Sequence, residues 1–246
     1  MTLLIAIALG GCSWQERRLA VDWPVPPSPP TGISTPPLAP PEPSPPLPQN
    51  LVASAIVPAV PVYAEPSAPQ ALRSLSHPTP EDYPLAFRVQ ERAGDWLKVF
   101  LPVRPNGSTG WIKAGDVALS GTPYRIVVEL GAHRLTLFEG SNAVLQAPVA
   151  VGMAQYPTPI GEFYVDAIVK LDNPNGVYGA YQLSMAGFSE VLTRFGGGQG
   201  QLALHGTTNT AALGSNVSHG CVRLANDVIT SLAQTVPVGT PVQTVA

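Results

Sequence analysis

The sequence predicts a mainly β fold with few helices, arranged as a small β domain followed by a larger sheet-built one. Apolar and polar residues alternate in Leu85–Val89, Trp96–Leu101, Tyr124–Leu130 and Arg134–Phe138, the period-2 signature of half-buried strands. Turn residues punctuate these runs at Asn106-Gly107, Gly131-Ala132 and Gly140-Ser141-Asn142. A helical period stands out near the C-terminus, where Val228, Ile229, Leu232 and Ala233 fall on one face.

The elements follow in chain order. Residues 2–9 are short and apolar. Eight residues of helix cover about 12 Å, well short of a hydrocarbon core roughly 30 Å thick, so the stretch reads as a secretory signal over residues 1–11 and not as a membrane span. Leu9-Gly10-Gly11-Cys12 resembles a bacterial lipobox, which implies cleavage before Cys12, lipidation of that cysteine and membrane attachment through the lipid. No Lys or Arg precedes the apolar stretch, a departure from the usual basic start. From Pro24 to Pro48, 13 of 25 residues are proline. Such a tract favours extended polyproline II and builds no core, so residues 12–50 are expected to be a tether.

Residues 51–120 follow as the small β domain, with Gly110-Trp111-Ile112-Lys113 opening a strand after the Asn106-Gly107 turn. Gly94-Asp95-Trp96-Leu97-Lys98-Val99 and Gly110-Trp111-Ile112 are similar to bacterial SH3-like modules. In that family such modules often bind cell-wall peptides, but Trp96 and Trp111 are expected to serve the core rather than a ligand. Residues 121–246 form the second domain. Tyr124–Leu130 and Arg134–Phe138 make a hairpin, and Val144–Val151 and Gly161–Ile168 read as further strands around a proline-fixed loop at Tyr156–Gly161. Asn226 is expected to cap the helix, which ends before Pro237. Asp172–Ser189 matches no recognisable element; it is expected to line a cleft or to form a surface insertion.

Composition excludes several functions. The net charge is −3 with 12% charged residues and no basic run, so no footprint for nucleic acid exists. Cys12 and Cys221 lie in such different settings that a disulfide between them is not expected. With His77, His133, His205 and His219 scattered, they make no closed zinc site of the usual spacing. No metal or organic cofactor is implied.

The chemistry concentrates in Leu202–Thr208 and Leu213–Leu224, which hold His205, Ser218, His219, Gly220, Cys221 and Arg223. A free thiol has a pKa near about 8.5, so a neighbouring imidazole must take or balance its proton before it can attack. His219 lies two residues from Cys221 and His205 sixteen, and either can reach it. Gly220 lets backbone N–H groups approach a developing oxyanion. Arg223 suits a substrate carboxylate or carbonyl. Ser218 is placed to orient a histidine or meet substrate. A lone cysteine is most often a small buried hydrophobe, but the clustering of these groups outweighs that reading.

Ser218-His219-Gly220-Cys221-Val222-Arg223, preceded by His205-Gly206-Thr207, resembles the catalytic motif of the L,D-transpeptidase (YkuD) family. Thr158-Pro159-Ile160-Gly161-Glu162-Phe163 matches a second motif of that family. The resemblance covers about residues 122–246. It implies a β-sandwich-like fold with the cysteine at the rim of a cleft, and acyl transfer on peptidoglycan stem peptides without ATP. The cysteine attacks the bond between the third, diamino-acid residue and the terminal D-alanine; an amine of another stem takes the acyl group. Some members keep only the earlier histidine, which assigns general acid/base work to His205. Cys221 is then the nucleophile, with His219, Gly220 and Arg223 supporting. The acceptor amine belongs to another stem or to an attached protein; hydrolysis of the same intermediate by a carboxypeptidase or amide hydrolase and a non-enzymatic wall-binding lipoprotein are the alternatives. The expected location is the cell envelope, facing the periplasm from the outer membrane.

Overall fold

In the computed structural model, which describes residues 50–246, the chain is mainly β with a single α-helix among the described residues. The signal, Cys12 and all but the last residue of the tether expected for residues 12–50 lie outside the described residues, and that last residue, Asn50, opens β1.

Seven strands build the first part: β1 (Asn50–Ala55), β2 (Ala59–Val62), β3 (Arg73–Ser76), β4 (Ala86–Ala93), β5 (Trp96–Phe100), β6 (Thr109–Lys113) and β7 (Val117–Thr122). Five of them form an antiparallel sheet in the order β6-β5-β4-β1-β7, and β2 and β3 pair separately. Alternation along β5 sends Leu97 and Val99 into a closed core with Phe87, Val60 and Ile112. It sends Trp96 the other way. Trp96 and Trp111 are only half-buried, which corrects the expectation that they are core. Trp96 meets the Tyr63 ring edge-on at 5.1 Å, on the outer face.

The second part comprises β8 (Tyr124–Glu129), β9 (Arg134–Glu139), β10 (Asn142–Pro148), β11 (Val151–Gly152), β12 (Gly161–Lys170), β13 (Tyr181–Phe188), β14 (Gln201–Thr207), β15 (Asn216–Ser218), β16 (Val222–Ala225), α1 (Asn226–Thr235) and β17 (Pro241–Val245). Eight of these strands run in the order β10-β9-β8-β17-β12-β13-β14-β16, and β11 pairs with β15. The β8–β9 hairpin forms as predicted. The strand expected over Val144–Val151 is split, since β10 stops at Pro148, which has no N–H to donate.

β12 belongs to both halves of this sheet. Gly161–Tyr164 pair with β17, Val165–Lys170 pair with β13, and the register shifts between Val165 and Ala167. Such a bulge is where a strand turns from one layer into another. One core results, shared by Ile126 and Leu135 from the first half, Val165, Leu183 and Leu204 from the second, and Ile229 and Leu232 from α1. The helix ends before Pro237 as expected, but Asn226 does not cap it. Its side chain accepts from Ala180 N–H at 3.2 Å and donates to Pro174 O at 3.0 Å, tying down the 172–180 loop instead.

The two parts are joined directly. Tyr164 is fully buried and donates its hydroxyl to Ala86 O at 3.1 Å, and Arg88 pairs with Glu162 at 2.7 Å.

Candidate active site

β14 and β16 pair in parallel with Leu204 opposite Val222 and His205 opposite Arg223. Continuing that register puts Cys221 beside Ala203. Because strand side chains alternate, Ala203, His205, Cys221 and Arg223 share one face, with His205 and Cys221 as diagonal neighbours. The sixteen-residue separation is closed by a backbone ladder. His205, Ser218, His219, Cys221 and Arg223 line one cleft of about 170 Å³, together with Val177, Tyr178, Leu192 and Phe195.

The two histidines sit differently. His205 is buried, with Nδ1 at 2.7 Å from Gly206 O and the Tyr178 ring edge-on at 5.0 Å. A carbonyl can only accept, so Nδ1 carries the hydrogen and Nε2 is left as a proton acceptor. Burial, and after it the nearby Arg223 cation, lowers the His205 pKa to about 4 against the opposing pull of the Gly206 bond. The ring is therefore neutral at physiological pH. His219 is exposed and stacks between Tyr156, at 4.9 Å, and Phe195, at 5.2 Å.

Cys221 is a free thiol. Burial pushes its pKa up, while the Ala203 backbone and Arg223 pull it down. Burial prevails, so the resting pair is neutral thiol and neutral imidazole. A depressed thiol pKa, the usual mark of a preformed thiolate, is absent.

The turn carrying Cys221 is held from inside. Gly220 has φ +119°, a conformation L side chains rarely adopt, and a Cβ there would lie 3.1 Å from Leu202 Cδ2. Its N–H donates to Ser218 Oγ at 3.1 Å, and Ser218 Oγ–H donates to Cys221 O. Ser218 thus braces the Cys221 turn and is not bonded to a histidine. Gly220 N–H is engaged within the turn by this bond. Thr158, which carried no assigned role in the sequence reading, locks the turn from outside. Its hydroxyl accepts from Gly152 N–H at 2.9 Å and donates to Gly220 O at 2.8 Å. Arg223 is fixed by reciprocal backbone bonds with Ala150, and its buried Nε has no partner among the described residues. An orphan cationic donor in a cleft suits a carboxylate or carbonyl oxygen.

Several lining groups escaped the sequence reading. Tyr178 comes from the 172–180 loop, so part of the unassigned segment does line the cleft, while the rest of it forms β13. Leu192 and Phe195 come from the segment between β13 and β14, where three consecutive glycines after Phe195 were a usable signal. Among the described residues no group of three His, Cys, Asp or Glu side chains is placed to hold a metal.

Residues 123–244 match the model of the L,D-transpeptidase catalytic domain, YkuD. A Bacillus subtilis protein named for the L,D-transpeptidases, YkuD, is 39% identical over 162 residues, covering 63% of this chain and 87% of that one. YbiS of Escherichia coli, named likewise, is 30% identical over 194 residues, covering 66% of this chain and 57% of its own length. The crystal structure of an L,D-transpeptidase from Mycobacterium tuberculosis superposes with a TM-score of 0.44 at 18% identity, covering 58% of this chain and 75% of that one. The family model and the curated relatives point to an acyl-transferring enzyme. The chain belongs to the L,D-transpeptidase (YkuD) family.

Proposed function

We propose that the protein is a peptidoglycan L,D-transpeptidase of the cell envelope with Cys221 as nucleophile and His205 as general acid/base. The observation that carries this reading is the parallel β14–β16 register, which seats the Nε2-accepting imidazole diagonally beside the thiol. Cys221 Sγ attacks the carbonyl carbon between the third stem residue and D-alanine, and its proton passes to His205 Nε2. Collapse of the tetrahedral intermediate breaks the C–N bond. His205 gives that proton to the leaving D-alanine amine, and a thioester remains. The acceptor amine then attacks the thioester. His205 takes its proton and returns it to Sγ as the new amide forms. Arg223, through its unpartnered Nε, steadies the substrate carboxylate or the oxyanion. Ser218, Gly220 and Thr158 hold the turn, and His219 shapes the mouth of the cleft.

The chain organisation proposed with this activity is a signal at 1–11, lipidated Cys12, a tether over 12–50, an SH3-like module at 51–120 and the catalytic domain at 121–246. The lipid would hold the enzyme at the outer membrane facing the periplasm; fractionation into the inner membrane or the medium contradicts that placement.

The test is incubation of the purified protein with tetrapeptide muropeptides, with Cys221→Ala alongside, followed by mass spectrometry. Cross-linked dimers lacking one D-alanine, absent with the variant, support transpeptidation. Tripeptide alone moves the activity to an L,D-carboxypeptidase. Absence of any product counts against the peptidoglycan substrate and favours a wall-binding role.

A further inference from the structure

The roof of the cleft is held by the small N-terminal sheet. Ser189–Gly200, between β13 and β14, contributes Ser189, Leu192, Phe195 and Gly200 to the cleft lining, and Phe195 covers His219. Little in its own sequence fixes this segment. Glycines stand at 196, 197, 198 and 200, and Val191 and Phe195 are exposed. Its internal bonds gather at its base and tip: Ser189 N–H donates to Gly200 O at 2.8 Å, Ser189 Oγ accepts from Leu192 N–H at 3.0 Å and from Val191 N–H at 3.4 Å, and Phe195 and Gly198 form a reciprocal pair.

The rest of the restraint comes from the loop between β5 and β6. Arg104 Nη1 donates to Ser189 O at 2.7 Å, and Nη2 donates to Leu192 O at 3.1 Å and to Gln199 O at 2.8 Å. One planar guanidinium thus gathers carbonyls from the outgoing and returning arms of the segment. The same group lies 4.9 Å over the Phe188 ring. Asn106 clasps the Phe188 backbone, donating to its O and accepting from its N–H, both at 2.8 Å. At Gly200, with φ +69°, a Cβ would fall 2.0 Å from Leu192 O and 3.3 Å from Arg104 Nη2, so the arms close around the clasp without slack.

We propose that Arg104, supported by Asn106, is a positioning residue for the reaction: it holds Ser189–Gly200 as the roof of the cleft and thereby sets how tightly the donor stem binds. This rests on the transpeptidase reading for the identity of the donor. The clasp touches neither Cys221 nor His205, so its loss acts on binding and access and leaves the chemical step alone.

The experiment compares the full purified chain with Arg104→Ala, Arg104→Lys and Asn106→Ala. Arg104→Ala is expected to raise KM for a tetrapeptide donor about tenfold while kcat stays within about twofold, the pattern of lost uniform binding. Arg104→Lys falls between, because an ammonium cannot reproduce the fork. Iodoacetamide should alkylate Cys221 at least about threefold faster in Arg104→Ala, since an opened roof exposes the sulfur. A folded Arg104→Ala protein whose KM or alkylation rate stays within about twofold of wild type overturns the proposal, as does a fall in kcat at constant KM. Should Arg104→Ala fail to fold, Asn106→Ala is judged by the same criteria. Should the wild type not turn over the donor, the transpeptidase reading has failed, and alkylation alone decides the clasp.

Discussion

The floor and the roof of the cleft are built on opposite principles. The floor, β14 and β16, is a parallel backbone ladder backed by the core, and every chemical group on it is placed by register. The roof, Ser189–Gly200, is glycine-rich and partly exposed, and is restrained by side chains about ninety residues earlier in the chain. A ladder positions side chains reproducibly because a shift by one residue would turn the whole buried face outward. A surface segment has no such penalty and needs a clasp. In the mechanism proposed above, catalytic geometry therefore belongs with the floor, and substrate access with the roof.

The sharpest way to break this division is at the floor. Cys221→Ala should abolish turnover of stem peptides measured by mass spectrometry, leaving folding intact by circular dichroism; residual turnover would remove the cysteine from the mechanism. His205→Ala should lower kcat by roughly 10²- to 10⁴-fold, the range for losing a positioned general base. His219→Ala, on the exposed stack at the roof, should change KM by only a few-fold. If the two histidine variants exchange these effects, the assignment of the base is reversed.

Thr158→Val tests how far the floor depends on its outer lock. It leaves Gly152 N–H without its acceptor and Gly220 O without its donor, both buried. Unfolding in denaturant should show a loss of about 1–3 kcal/mol, and kcat should fall as Gly220 relaxes. Stability lost with kcat intact would place Thr158 in packing alone.

The smallest effects concern pH. His205 must be neutral to accept a proton, so the acid limb of kcat/KM should lie near its lowered pKa of about 4; a limb near about 6.5 would mean that the base is exposed or is another group. Stability adds a second reading. The His205 pKa is lower in the folded state, so the unfolded chain binds more protons between about 6.5 and 4, and this contribution is lost as pH falls through that window. Asp166 behaves oppositely. Burial raises its pKa from 3.8 to about 6, so its contribution is present at low pH and is lost as pH rises through about 6. The two slopes oppose one another. Asp166→Asn should expose the His205 slope, seen as a steeper loss of melting temperature on acidification than in wild type.

How much of this was legible beforehand depended on range. The β8–β9 hairpin, β12 and the helix were readable because alternation, turn residues and helical period are local signals. β13 was not. Buried over its last six residues between β12 and β14, it shows no alternation to detect. Trp96 and Trp111 were misplaced for a related reason: alternation identifies two faces but does not say which one the core will occupy. Asn226 has the residue type of a cap, yet tertiary partners at Ala180 and Pro174 claimed its amide.

By itself the sequence determined the mainly β class, the region where the chemistry gathers and the residue types available to it. Only the tertiary structure decided that His205 is the buried, neutral ring beside Cys221, that Ser218 and Thr158 brace the turn, and that Arg104 reaches the roof. The reason is physical. Local preference and periodicity depend on neighbours in the chain, whereas pKa, hydrogen-bond partner and strand register depend on groups that only the folded backbone brings together.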